Sequence, residues 1–372
     1  MKMRQEELIP IFRQFNVPAG QISATYAFGS GHINDTYKVE MVHSEASAYV
    51  LQRINHAVFK DVDALMNNMT LVTKHLRLRS EQERSAGSAS FKVDLALIPT
   101  ADGRAYFQDD DGQYWRVMEY VAGAKSYDVV NTAEQARAGA WAFGKFHHLL
   151  RDLNPHDIQE VIPHFHHIAT RLEKLESAVS VNSLHRAKDV EAELEFIRAR
   201  QDRMQRILRM GAEGKIPTRI THNDTKFNNV LLNADDEALC VIDLDTVMPG
   251  YLAYDFGDAI RTVINCGRED EADLERIKLN IPLFEAYTEG YFAAAGEMIT
   301  AHEAASLVDG VLLLPYMQAV RFLTDYLEGD HYFKTQHSSH NLQRTKAQLK
   351  LVKELEAVEN QLVDIIYNYH KE

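Results

Sequence analysis

The stretch Ile220-Thr221-His222-Asn223-Asp224-Thr225-Lys226-Phe227-Asn228-Asn229-Val230-Leu231-Leu232 decides the reading of this chain, together with Ala238-Leu239-Cys240-Val241-Ile242-Asp243-Leu244-Asp245 a short turn later. The two apolar runs, 230–232 and 238–242, are joined by the polar residues 233–237, a pattern that predicts a β-hairpin. Asn229 enters that hairpin and Asp243 leaves it. Antiparallel pairing is expected to bring both to one end, with Asp224 in the loop just before. One amide and two carboxylates are therefore expected to converge.

Such a group suits phosphoryl transfer. One carboxylate can take or orient the proton of an acceptor hydroxyl. A second carboxylate and an amide oxygen can hold Mg2+, a hard ion that prefers oxygen ligands. A lysine beside the base can neutralise charge on the moving phosphoryl group. The spacing H-x-D-x4-N, followed by a metal-binding Asp, is that of kinase catalytic loops. The expected roles are Asp224 as base, Lys226 on the γ-phosphate, and Asn229 and Asp243 on the metal. Asp245 reads either as a further metal ligand or as a loop carboxylate. His222 reads as a hydrogen-bonded scaffold residue. Asp255-Phe256-Gly257 spells a familiar kinase metal motif, but it lies outside the hairpin. Asp255 is expected to brace the loop through its backbone instead.

The bulk numbers are those of an ordinary globular protein. The 372 residues suffice for one large or two medium domains. A formal net charge of −14 disfavours nonspecific nucleic-acid binding, which depends on lysine and arginine neutralising phosphates. Two cysteines, Cys240 and Cys266, make no disulfide framework. Cys240, inside an apolar run, is expected to be a buried free thiol. The N-terminus lacks the apolar core of a signal peptide, and no membrane span is expected. The cytoplasm is the expected setting.

The organisation expected is α+β and bilobal. Residues 1–120 form a small β-rich lobe that binds nucleotide, and residues 121–372 a larger, mostly helical lobe with the catalytic loop, metal and substrate sites. In the small lobe, helical spacing marks residues 4–15 and 61–78. Strands are expected on both sides of Gly29-Ser30-Gly31, over 48–54, and flanking the Asp-Gly turn at Asp111-Gly112. Helices are expected at 131–153, 163–180 and 183–213, and a long one at 342–370. Gly29, Ser30 and Gly31 stand where backbone N–H groups can approach phosphates. Backbone groups from Glu119 to Val121, where a strand runs into the linker, are the natural contacts for adenine.

At these residues the chain resembles the aminoglycoside phosphotransferase and choline kinase superfamily, whose fold is protein-kinase-like. Within it the chain is most similar to the N-acetylhexosamine 1-kinases. The matching stretches are Gly31-His32-Ile33-Asn34-Asp35-Thr36-Tyr37, Thr221-His222-Asn223-Asp224-Thr225-Lys226, Ile242-Asp243-Leu244-Asp245-Thr246 with Met248-Pro249-Gly250, Tyr287-Thr288-Glu289-Gly290, Arg321-Phe322-Leu323 and Asp325-Tyr326-Leu327-Glu328-Gly329-Asp330. The resemblance implies an ATP- and Mg2+-dependent phosphotransferase with an alcohol acceptor. That acceptor would be the anomeric hydroxyl of N-acetylglucosamine or N-acetylgalactosamine, and the product the sugar 1-phosphate. It also implies Asp224 as base, Asp243 on Mg2+, and sugar contacts from His32, Asp224, Arg321 and Tyr332. No nucleic acid or membrane partner is implied.

One departure stands out. The inward position of the strand Tyr49-Val50-Leu51-Gln52-Arg53 should carry the basic residue that grips the α- and β-phosphates, and it carries Gln52. Either Arg53 takes that role or the phosphates rely on Mg2+ and backbone N–H groups. The partner glutamate is also missing, since the next helix has Asn67, Asn68 and Thr70. The histidines at 147–148 and 164–167 lack the ligand spacing of zinc sites. Two other readings stay open: a kinase of another small alcohol, such as an amino alcohol, aminoglycoside or other hexose, and a non-catalytic nucleotide-binding protein.

Overall fold

The computed structural model describes residues 3–29, 33–42, 48–86 and 95–371. Along the chain come α1 (Gln5–Phe12), β1 (Gln21–Ala27), β2 (Asp35–Val42), β3 (Ala48–Ile54), α2 (Val62–Ser85), β4 (Leu97–Ile98), β5 (Phe107–Gln108) and β6 (Tyr114–Glu119). Then follow α3 (Ala133–Leu150), α4 (Ile168–Val181), α5 (Glu191–Met204), α6 (Arg206–Ala212), β7 (Arg219–Thr221), β8 (Val230–Leu232), β9 (Ala238–Val241) and β10 (Met248–Gly250). The chain ends with α7 (Leu252–Val263), α8 (Ile281–Ala295), α9 (Ala301–Glu328), α10 (His340–Ala357) and α11 (Glu359–Lys371). The fold is α+β. The chain divides into two compact units: Met1–Lys125, Asp152–Pro163 and Leu231–Met248 form the first, and Ser126–Arg151, His164–Val230 and Pro249–Glu372 the second.

The first unit is built on an antiparallel sheet of order β1-β2-β3-β6-β4, with β5 also on β6. Its side-chain alternation has a period of two, and one parity is apolar: Tyr37, Val39, Tyr49, Leu51, Trp115 and Val117. These residues pack on Leu8, Ile11 and Phe12 of α1 and on Phe15. Each buried side chain of this size contributes roughly 1.5–3 kcal/mol, so this parity pins the register. The other parity therefore faces away from α1. It includes Thr36, Gln52 and Arg116, which stand opposite one another in register. Asp61 caps α2 by accepting the Ala64 N–H at 2.9 Å. Asn68 of α2 bonds the backbone of Gln159 in both directions, at 2.7 and 2.9 Å, and so ties residues 152–163 to this unit. The hairpin β8–β9 forms as expected, and Lys125 and Leu232 exchange backbone bonds at 2.8 Å.

The second unit is helical. Helix α9 is long and apolar enough to span a membrane by length and composition, but its most apolar window is 89% buried, as in a core helix. It crosses α7 at Gly257 and Gly310. A Cβ on Gly257 would meet the Gly310 carbonyl at 2.2 Å, and one on Gly310 the Ala253 carbonyl at 1.8 Å. The glycine of the literal Asp-Phe-Gly thus serves a helix crossing. Two helical expectations were too long: 183–213 breaks at Gln205, and 342–370 breaks at Val358. Helix α7, which carries Asp255, was not foreseen.

Candidate active site

The catalytic-loop candidate, His222 to Asn229, lies wholly in the second unit between β7 and β8. It is held from below by α7 and α3. The Asp255 carboxylate, 1% exposed, accepts the backbone N–H of His222 at 2.6 Å and of Asn223 at 2.7 Å. The Asp255 carbonyl accepts the Thr225 hydroxyl at 2.5 Å. One turn on, Asp258 accepts the Thr225 N–H at 3.1 Å. His147 of α3 places Nε2 2.7 Å from Asp255 and Nδ1 3.0 Å from the Tyr291 hydroxyl. Against a carboxylate oxygen, Nε2 is the donor. Asp255 is thus a structural brace and the His147 ring its support.

His222 is buried edge-on against Phe143 and Phe146, and its Nδ1 faces the Asp224 N–H at 3.3 Å. That is a scaffold role. Asn223 has φ 64°, a left-handed conformation that asparagine tolerates. The turn lifts Asp224 out of the brace, leaving its side chain 26% exposed. Lys226 Nζ lies 3.0 Å from Asp224 Oδ1. Burial works against the ammonium, but the charges of Asp224 and Asp258 outweigh it and hold the Lys226 pKa above its ordinary value. Asn229 donates its amide N–H to the Asp224 carbonyl at 2.8 Å, closing the loop.

Beside this loop, His166 donates from Nε2 to the Asn223 carbonyl at 3.1 Å. Burial pushes its pKa down, against the pull of Asp258 and the Asn223 carbonyl. The Arg321 guanidinium stands 5.9 Å from the ring centres of Phe165 and Tyr332 and 5.5 Å from that of Phe333. Its Nη1 donates to Gln318 at 2.7 Å. Arg171 donates to the Phe165 carbonyl at 2.9 Å. Burial first, and the charge of Arg321 second, lower the Arg171 pKa. Asp325, one turn beyond Arg321, accepts the backbone N–H groups of His331, Tyr332 and Phe333 at 2.8–3.0 Å. That ties down the segment bearing Tyr332, which is 70% exposed.

In the first unit, Asp243 follows β9 in a left-handed conformation, φ 61° and ψ 54°, and its side chain is exposed. Asp245, two residues later, is 3% exposed and forked by the buried guanidinium of Arg116. Arg53, on the α1-facing parity of β3, pairs with Asp35. Gly29 has φ +80°. Ser30, Gly31 and His32 lie outside the described residues. The Glu119 N–H goes to the Ala96 carbonyl at 3.2 Å and the Tyr120 N–H to Ala48 at 3.3 Å, and Val121 follows the end of β6.

A family model described as the phosphotransferase enzyme family matches residues 26–298, well over half of the chain. The chain belongs to that family. Among solved structures it is similar to an aminoglycoside phosphotransferase from Alicyclobacillus acidocaldarius, at 13% identity, TM-score 0.65 and coverage of 97% of each chain. It is also similar to a choline kinase from Cryptosporidium parvum (11% identity, TM-score 0.59, 99% of this chain and 100% of that one). A third is a spectinomycin phosphotransferase in complex with ADP and spectinomycin (13% identity, TM-score 0.54, 100% of both chains). At these identities the likeness shows the shared fold.

The oxygen donors expected to serve a divalent cation are the Asp243 carboxylate of the first unit and the Asn229 amide of the second. Among the described residues no cluster of three or more His, Cys, Asp or Glu side chains forms a ready-made cage. Asp245 has both oxygens engaged. Sequence reasoning missed three residues here. Arg116 was legible through its parity with Gln52. Asp258 lies one helical turn from Asp255, but α7 was not recognised. His166 was hidden in a run of four aromatic rings.

Proposed function

We propose that this protein is an ATP- and Mg2+-dependent small-molecule kinase that phosphorylates the anomeric hydroxyl of an N-acetylhexosamine. The observation that carries the choice of acceptor is the Arg321 cluster. Two guanidinium groups, Arg321 and Arg171, stand among Phe165, Tyr332 and Phe333. A cationic acceptor such as choline or an aminoglycoside would call for acidic or aromatic groups there; the rings would serve it, and the two like-charged guanidinium groups are what argue against it. A neutral, hydroxyl-rich ring is served by guanidinium donors and a stacking wall.

In this reading the Asp224 carboxylate receives the acceptor's hydroxyl proton as the oxygen–phosphorus bond forms and the bond to ADP breaks. Lys226 offsets charge on the transferred phosphoryl group. Asn229 and Asp243 are the residues that would hold Mg2+, and the metal would supply neutralisation of phosphate charge. Backbone N–H groups of Gly29, Ser30 and Gly31 would serve the phosphates, Glu119 and Val121 would serve adenine, and His32, Arg321 and Tyr332 are each proposed as sugar contacts. A cytoplasmic setting fits ATP as co-substrate.

The test is ADP release with Mg-ATP over a panel of N-acetylglucosamine, N-acetylgalactosamine, glucosamine, galactose, choline and an aminoglycoside. Turnover is expected with the N-acetylhexosamines and is lost in Asp224→Asn. No turnover of any sugar overturns the acceptor assignment. Full activity in Asp224→Asn overturns the role of Asp224.

A further inference from the structure

Gln52 occupies the strand position where a basic residue was expected, and the neighbouring strand supplies a cation in its place. Gln52 and Arg116 are register partners across β3 and β6. Arg116 is 1% exposed, and its Nη2 donates to Gln52 Oε1 at 2.7 Å and to Asp245 Oδ2 at 2.9 Å. Nη1 takes the other Asp245 oxygen, and Nε goes to Gln52 at 2.9 Å. Around this fork the described polar side chains Gln52, Asn34 and Asp245 are each hydrogen-bonded. Gln52 donates to the Thr36 hydroxyl at 2.9 Å, and Asn34 donates to Asp245 at 2.5 Å. Asn34 in turn accepts the Asn55 N–H at 2.9 Å. Helix α2 closes the far side with sulfur, Met69 Sδ 3.3 Å from Nη1.

The burial decides what Arg116 can do. A guanidinium with its donors spent inside protein is no phosphate ligand. What it holds is the turn Leu244–Thr246, whose N-terminal flank is Asp243 in the left-handed region. Fixing that turn fixes the backbone from which the Asp243 side chain departs. We propose that Arg116 and Asp245 are a positioning pair that aims the Asp243 carboxylate at the metal–nucleotide. The pair stands beside the place of a strand lysine and helix carboxylate, neither of which is present at Gln52 or in the facing stretch of α2, and it does not take over a grip on phosphate. This rests on the reading of Asp243 as the metal carboxylate.

The test reads ADP affinity by calorimetry with and without Mg2+, alongside kcat and melting temperature. Removing one partner strands a buried charge, whereas replacing both by apolar residues is often neutral for stability. The informative protein is therefore Arg116→Met/Asp245→Leu. It is expected to fold, with a melting temperature near that of the parent, and to lose Mg2+-dependent tightening of ADP and kcat by about ten- to a hundredfold. Arg116→Lys, which keeps the charge without the fork, is expected to fall between, and it takes the place of the double variant if that protein does not fold. A folded variant that retains both the Mg2+ increment and kcat overturns the positioning role. Asp243→Asn separates the two readings. If the parent shows no Mg2+ increment, or Asp243→Asn keeps it, the metal assignment falls and the pair's role with it. If Asp243→Asn loses the increment while the double variant keeps it, only the pair fails.

Discussion

The Asp255 carboxylate accepts the backbone N–H of His222 at 2.6 Å from 33 residues away, and this bond is what shapes the loop presenting Asp224. The same carboxylate takes the Asn223 N–H and the His147 ring, so three buried donors depend on one side chain. Asp255→Ala is expected to destabilise the protein by about 3–5 kcal/mol, because three buried donors lose a charged acceptor at once. Asp255→Asn sets an amide NH2 against N–H donors and is expected to be a poor rescue. Urea unfolding measures both, and a loss below 1 kcal/mol for Asp255→Ala contradicts the brace.

Lys226 and Asp224 form the exposed end of this assembly. Lys226→Ala removes a partly solvated ammonium, so its stability cost is expected to be small. Its effect belongs on kcat, which should fall by about a hundredfold with the acceptor KM little changed. Steady-state kinetics in both substrates distinguishes this from a general loss of folded protein.

Arg321 and Tyr332 are expected to separate binding from chemistry. In the proposed reading, Arg321→Ala removes donors to the acceptor and Tyr332→Ala removes a stacking wall. Each should raise the acceptor KM by about tenfold or more and leave the KM for ATP unchanged. A rise confined to ATP contradicts their assignment to the acceptor.

His166 should give stability a pH dependence of known sign. Its folded pKa lies below the ordinary 6.5, chiefly through burial, with Asp258, the Asn223 carbonyl and Asp255 opposing and Arg321 assisting. The unfolded chain therefore binds the proton first. Stability is full above about pH 6.5 and declines as pH falls from there toward the folded pKa. His166→Gln keeps a donor for the Asn223 carbonyl and removes the titration. Melting curves between pH 5 and 8 should be flatter for this variant than for the parent.

Gly139 of α3 is where Phe227 packs, just before Asn229. A Cβ there would come within 2.1 Å of the ring. Gly139→Ala gains up to about 1 kcal/mol of helix propensity. The overpacking costs about 1–3 kcal/mol, so a net loss of stability is expected. Because Phe227 sits between Lys226 and Asn229, kcat should fall as well. Denaturation and turnover measured on the same preparation check both.

Sequence by itself determined what is local. The loop residues, the hairpin after them, the scaffold role of His222 and the bracing role of Asp255 all follow from spacing, polarity and chain order, because a hairpin and its flanks are short-range objects. The choice of α+β followed from periodicity in the same way. Tertiary structure decided whatever depends on which side chains meet across long separations. Strand parity puts Arg53 on the α1 side with Asp35 and Arg116 on the other with Gln52. The meeting of Arg116 with Asp245, 129 residues apart, then uses up a carboxylate that the sequence left open as a metal ligand. The letters Asp-Phe-Gly belong to a helix because Gly257 must pass Gly310. Periodicity reports which face of an element is apolar. It carries no record of the partner that face will find.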